Sequence, residues 1–289
     1  MAHTLTYQLH KLCIESRAGS HGTKAARHKI LQQIGRQLKN DGYKLSSPKS
    51  LKPKHVTHLV STWQRQALSP GTIKNRMSHL RWWAEQVGKK GIVPRSNDQL
   101  GIDRRSLIPT ETKARNLKGV ELDKVSDKRI RASLLLQEAF GLRREECIKI
   151  IPELADRGLQ LVLKGSWCKG GRPRALDIRT DKQRAVLQFA KSIAKGGSLI
   201  PHNLKYVQQM KRFEYVTAKV GVSKTHGLRH CYAQMRYEEL MGSRAPINGG
   251  VRRNEMSPVQ KSLDHDVRQI ISRELGHERL SVVAQYIGS

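Results

Sequence analysis

Gly276-His277-Glu278-Arg279-Leu280-Ser281-Val282-Val283-Ala284-Gln285-Tyr286-Ile287-Gly288 sets a tyrosine nine positions after a histidine, close to Ser289. Upstream, Thr225-His226-Gly227-Leu228-Arg229-His230 holds a histidine and an arginine one helical turn apart. At that spacing both side chains project toward one site. With Arg143 and Lys169 the chain carries six polar groups, Arg143, Lys169, His226, Arg229, His277 and Tyr286, suited to attacking and stabilising a phosphodiester.

Each group has a plain reading beside the chemical one. Arg143 follows Gly141 and precedes Glu146 by one turn, which fits a helix-start salt bridge. It also fits a guanidinium fork that grips two nonbridging phosphate oxygens, with Arg229 as the second clamp on the charge that develops at phosphorus. A histidine near neutrality, His226, can take or relay a proton. His230 points roughly a hundred degrees away from Arg229 on a helix and reads as structural. Lys169 sits between two candidate strands, either as a solvated turn charge or as the ammonium that protonates a leaving 5′ oxygen. Lys164 and Arg172 are its local rivals. His277 can donate a hydrogen bond to a phosphate oxygen. Tyr286 is the candidate nucleophile, and a phenol with a reference pKa near ~10 needs proton removal and a nearby positive field. Attack leaves a covalent phosphotyrosine and a free hydroxyl, so a second hydroxyl can exchange the join without ATP. No paired carboxylates suggest a two-metal site, and the expectation is cleavage without metal or cofactor.

Composition points the same way. Lys and Arg total 54 against 24 acidic residues, a formal charge of +30, and residues 1–108 and 109–289 carry +15 each. Such an excess costs self-repulsion unless a polyanion offsets it. Its even spread suits two lobes that both face a phosphate backbone. Cys13, Cys147, Cys168 and Cys231 form no CxxC pair, which argues against a disulfide framework or structural zinc and for a reducing cytoplasm. No apolar run approaches the ~20 residues of a membrane span, and the basic N-terminus lacks the apolar stretch of a secretion signal.

Helices are expected at 5–17, about 23–41 with an Ile30, Ile34, Leu38 stripe, 55–67, and 72–88. In the last, Ile73, Met77, Leu80 and Ala84 line a buried side while Lys74, Arg76 and Arg81 remain for another face. Residues 89–108 lack periodicity. Further on, helices are expected at 125–141, from Leu142, and near 181–195, 203–219 and 224–241. Strands at 158–163 and 174–178 flank Lys169-Gly170-Gly171-Arg172, and 242–262 reads as a long loop. The fold class is therefore mostly α with a small antiparallel β-sheet. The division is a helical DNA-binding domain at 1–100, a linker at 101–118 and a catalytic α+β domain at 119–289.

Gly141-Leu142-Arg143-Arg144-Glu145-Glu146, Lys169-Gly170-Gly171-Arg172-Pro173-Arg174, His226-Gly227-Leu228-Arg229-His230 and Leu275-Gly276-His277 with Tyr286 resemble, in order and spacing, the motifs of the tyrosine recombinase (phage integrase) family. Thr72–Val87 is similar to the last helices of that family's core-binding domain. The resemblance maps Arg143, Lys169, His226, Arg229, His277 and Tyr286 onto the family's active site. It implies a two-domain clamp around double-stranded DNA and a tetramer that synapses two DNA sites through a Holliday junction. It also implies integration or excision of a mobile element, and room for an accessory DNA-bending or directionality factor. Two departures stand out. Residues 242–274 exceed the length in compact members and suggest an extra DNA or protein contact. The tail after Tyr286 is short, so assembly is expected to use another surface or the tail to pack on its own subunit. Rival readings are a type IB topoisomerase, which shares the phosphotyrosine chemistry, and a non-enzymatic architectural DNA-binding protein. RNA binding fits the charge but lacks an aromatic single-strand platform.

Overall fold

The computed structural model describes residues 4–104 and 108–289. Residues 105–107, within the expected linker, lie outside the described residues. The chain divides into two compact units, Met1–Ser106 and Leu107–Ser289.

Helix starts in the first unit follow from short polar caps and prolines. Thr4 and Ser20 accept the Tyr7 and Thr23 amides at the starts of α1 (Leu5–Glu15) and α2 (His21–Asn40). α3 (Pro53–Arg65) and α4 (Pro70–Gln86) each carry a proline in the first turn. Trp63 and Trp83 are fully buried at the centre of this unit. Their indole N–H groups donate to Gln37 Oε1 at 2.9 Å and Pro48 O at 3.1 Å, so neither ring strands a buried donor. On α2, Ile34 and Leu38 are buried, but Leu31 takes the inner position expected of Ile30, which is half-buried. On α4, Ile73, Met77, Leu80 and Ala84 all face inward.

Two basic residues expected on an outer face of α4 are instead used within the unit. The Arg76 guanidinium lies 5.1 Å from the Trp63 ring centre. Arg81 donates to Pro94 O at 2.9 Å and Asn97 Oδ1 at 2.8 Å. Gln64 Nε2 likewise binds Gly101 O at 2.9 Å, and Val93 and Ile102 are buried. The aperiodic stretch after α4 is thereby fastened to the first unit, because its backbone carbonyls find side-chain donors.

The second unit begins to pack well before residue 119. Arg115 N donates to Gly227 O at 3.0 Å, Leu117 N to Glu138 Oε1 at 2.8 Å, and the Leu117 side chain is buried. There follow α5 (Lys128–Phe140), α6 (Arg144–Lys149), α7 (Pro152–Ala155), β1 (Gln160–Leu163), β2 (Arg174–Asp177), α8 (Asp181–Ala194), α9 (Tyr206–Lys219), α10 (His226–Met241), α11 (Pro258–Glu274) and α12 (Ala284–Ile287). β1 and β2 pair antiparallel with Gln160 opposite Asp177 and Leu163 opposite Arg174. Gly141 ends α5 at φ +61, and a Cβ there would stand 2.5 Å from the Tyr232 ring, so this bend needs glycine twice over.

The irregular part of 242–262 ends sooner than its glycines and prolines suggest. Ser257 Oγ accepts the Gln260 amide, Gln260 Oε1 accepts the Ser257 amide, and Pro258 takes the first turn, which starts α11. α10, α11 and α12 then share an apolar cluster that includes Tyr237, Ile271, Leu275, Val283 and Ile287. All four cysteines are free thiols. No helix among the described residues is long and apolar enough to cross a membrane.

Candidate active site

Glu146 organises the first arginine. Arg143 precedes α6; its amide donates to Glu146 Oε2 at 2.7 Å and its Nη1 to Oε1 at 2.8 Å. Arg174, from the start of β2, closes on the same carboxylate with two 2.7 Å bonds. Glu146 is fully buried. Burial raises its pKa, but the hydrogen bonds and charge of Arg174, then those of Arg143, outweigh it and hold the carboxyl at about 2. Arg143 Nη2 also reaches Gly276 O at 3.2 Å, which ties it to the turn that carries His277.

Arg229, one turn into α10, has no exposed surface. Its Nη1 donates to Gly141 O at 2.6 Å and its Nη2 to Leu275 O. Two loop carbonyls thus fix the plane of the guanidinium. Burial, then the neighbouring Arg143, lower its pKa to about 10. His277 follows Gly276 (φ +61), with its amide on Ser272 O, and its Nε2 lies 3.4 Å from Arg229 Nη2. The guanidinium can only donate, so a hydrogen bond across this contact takes His277 Nε2 as its acceptor. Burial, then Arg229 and Arg143, depress His277 to about 3, and the same causes lower His226. Both imidazoles are neutral at pH 7.

Tyr286 closes the cluster from within its own chain. Its hydroxyl stands 3.4 Å from Arg229 Nε and 3.5 Å from His226 Nε2, contacts long enough to be weak. The tail that carries it is clamped on both sides. Gln234 Nε2 donates to Tyr286 O at 2.8 Å and Arg268 Nη1 to Gly288 O at 3.0 Å. Arg268 is in turn held by Asp264, a buried carboxylate that also accepts the Tyr237 hydroxyl at 2.8 Å. Residues 242–274 therefore contribute the frame on which the tail packs.

Five of the six sequence-selected residues converge. Arg143, His226, Arg229, His277 and Tyr286 lie in one network of side chains and backbone carbonyls. Lys169 does not join it. That residue is exposed in the ten-residue β1–β2 connection and makes no hydrogen bond or ion pair among the described residues. Of its rivals, Lys164 is likewise exposed, and Arg172 is ion-paired to Glu278. Sequence reasoning missed Arg174 and Glu146 as a pair, and it set His230 aside. His230 is buried with its ring 4.5 Å from that of Tyr286, and burial, then His226, push its pKa to about 4. The available signal was its i, i+4 relation to His226, which puts both imidazoles on one helix face.

Comparison with known proteins bears on the family and the fold. The family model described as "Phage integrase, N-terminal" matches residues 1–93, and that described as "Integrase" matches residues 109–235. Among curated proteins, none matches the sequence. Among solved structures, the XerH site-specific recombinase in a post-cleavage complex with its difH substrate aligns with a TM-score of 0.61 and 16% identity, over 97% of this chain and 80% of that one. A lambda integrase dimer bound to a COC′ core site gives 0.60 and 15%, over 96% and 92%. The Tn1549 transposon integrase bound to transposon right-end DNA gives 0.54 and 13%, over 98% and 94%. At such identities the structures speak for the fold alone, and it is the fold expected from the motifs. Matched by integrase family models on either side of residues 94–108, the chain belongs to the tyrosine recombinase (phage integrase) family.

Proposed function

We propose that the protein is a site-specific DNA recombinase that cleaves and rejoins double-stranded DNA through a 3′-phosphotyrosine and integrates or excises a mobile element. The observation that carries this reading is the Tyr286 hydroxyl, 3.5 Å from His226 Nε2 and 3.4 Å from Arg229 Nε. A nucleophile, a proton acceptor and a fixed cation meet there without help from another subunit.

In this scheme the nonbridging oxygens of the scissile phosphate take the guanidinium forks of Arg143 and Arg229, with His277 as a further donor. His226 Nε2 accepts the phenolic proton as the Tyr286 oxygen attacks phosphorus. The P–O5′ bond breaks, and the Lys169 ammonium gives a proton to the departing 5′ oxygen. The products are a DNA 3′-phosphate ester of Tyr286 and a free 5′-hydroxyl. Attack by a 5′-hydroxyl from the other strand returns the phenol and restores a phosphodiester, one ester bond being exchanged for another at each step. The arriving phosphate also supplies negative charge to a cluster whose histidines and buried arginine are all held below their ordinary pKa values.

The charge of +30 suits a duplex partner. Lambda integrase forms a tetramer bound to a Holliday junction, and that likeness supports four copies of this chain on two DNA sites. An accessory DNA-bending or directionality factor and a cytoplasmic location complete the proposal. The test is a nicked duplex that traps the covalent intermediate. Wild-type protein is expected to form a denaturation-resistant adduct, and Tyr286→Phe to bind the DNA and form none. Equal adduct in that variant overturns the assignment of the nucleophile.

A further inference from the structure

A cavity of about 520 Å³ lies beside the catalytic cluster, and of its lining residues only His226 takes part in the chemistry above. It is lined by α9, the loop before α10 and the end of α5, and His226 is on its border. Gln137, among the lining residues, is fully buried, and neither its amide nitrogen nor its amide oxygen has a hydrogen-bond partner. Buried polar groups are nearly always satisfied, so an amide open at both ends asks what completes it. Phe213 and Val222 add apolar walls next to it.

The outer part of the cavity has a different character. α10 is sixteen residues long and starts without a side-chain cap, and the Thr225 hydroxyl makes no hydrogen bond there. Lys224 adopts the left-handed backbone region (φ +51), which residues with a side chain avoid. Its ammonium has no ion-pair partner among the described residues, and Arg144 stands among the other lining residues, paired to Glu214 at 2.7 Å. The Gly227 and Leu228 amides of the first turn are taken by Lys224 O and Thr225 O, so it is the free Lys224 ammonium at the rim that favours a phosphate. A donor and an acceptor between apolar walls favour the edge of a nucleobase.

We propose that this cavity receives an unstacked nucleotide of the DNA substrate, adjacent to the phosphate gripped by Arg143 and Arg229. The inference rests on the recombinase reading above. Exchanging strands requires bases next to the cut to leave their partners, and a pocket that accepts one lowers the cost of that unpairing. The volume falls within the range of pockets that bind molecules of nucleotide size, roughly 300–1,000 Å³.

The experiment uses 2-aminopurine, which brightens when it leaves the base stack. Adduct capture on random-sequence nicked duplexes first maps the cleaved bond. The probe base is then moved through the positions on either side of it. Wild-type protein is expected to brighten one position several-fold. Gln137→Leu, which replaces an unsatisfied amide by an apolar isostere, is expected to lose that brightening while its Tm stays equal or rises. Thr225→Val is expected to weaken it as well. Adduct without brightening at any position overturns the nucleotide pocket alone, as does full brightening in Gln137→Leu. Absence of any wild-type adduct overturns the recombinase reading together with the pocket.

Discussion

Replacing Glu146 by glutamine removes the carboxylate that holds two arginines at the candidate active site. Its pKa, pulled from 4.5 to about 2, corresponds to about 3 kcal/mol of stabilisation at neutral pH. Loss of the charge leaves Arg174 and Arg143 facing each other with side chains only 7% and 19% exposed. Breaking a buried ion pair from one side costs ~3–5 kcal/mol, the same range as the pKa implies. For a unit of this size that is a fall in Tm of roughly 6–20 °C, at about 2–4 °C per kcal/mol. Calorimetry on wild type and Glu146→Gln measures it directly. The pH dependence is an internal check. A carboxylate with a depressed folded pKa contributes above its ordinary value and loses that contribution as pH falls toward about 2. The two Tm curves should therefore converge as acid is added below pH 4.5. Cleavage should suffer more than binding, by at least ~100-fold in adduct formation, because Arg143 loses the partner that orients it. A variant with unchanged Tm at neutral pH, or one whose deficit persists undiminished in acid, refutes the reasoning.

His277 and His230, depressed to about 3 and about 4, bind protons better in the unfolded chain. The stability they allow is present above pH 6.5 and falls as pH drops toward those values, by about 2 kcal/mol each at pH 5. Denaturant midpoints between pH 8 and pH 5 test this, and a slope unaltered in the His230→Phe, His277→Phe double variant contradicts it. Gly141→Ala places a Cβ 2.5 Å from the Tyr232 ring at φ +61, and strain plus overlap predict a loss of about 2–4 kcal/mol. Wild-type stability by chemical denaturation would show that the bend tolerates a side chain. Duplex affinity should fall ~10³–10⁵-fold between about 50 and 200 mM salt if six to ten phosphates are contacted. A flat titration would remove the basic surface from the account.

The motifs were legible because each rests on local geometry. Gly141 announces a turn, His226 and Arg229 share a helix face, and the α4 apolar spacing marks its buried side without help from the rest of the chain. What stayed hidden depends on segments distant in sequence. Arg174 is one basic residue among 54 until β2 brings it against Glu146, 28 positions earlier. His230 shares a helix face with His226, but its contact with the candidate nucleophile exists only once Tyr286 returns 56 residues later to lie against it. The Gly and Pro content of 242–262 signals a loop, yet Pro258 is the first residue of α11, and proline has the same letter in both settings. Arg76 and Arg81 read as an outward basic face because a periodic pattern says nothing about the ring or carbonyl that a long side chain can reach.

The central claim is that Tyr286 attacks the phosphate held by arginines of its own subunit. Mixing Tyr286→Phe subunits with Arg143→Ala subunits on the nicked duplex tests it most directly, since every site then lacks either the nucleophile or a clamp. The structure predicts no covalent adduct from the mixture, as from each variant alone. Adduct restored by mixing, carried by the Arg143→Ala chain, would mean that the tyrosine is delivered to a neighbour and would contradict the account.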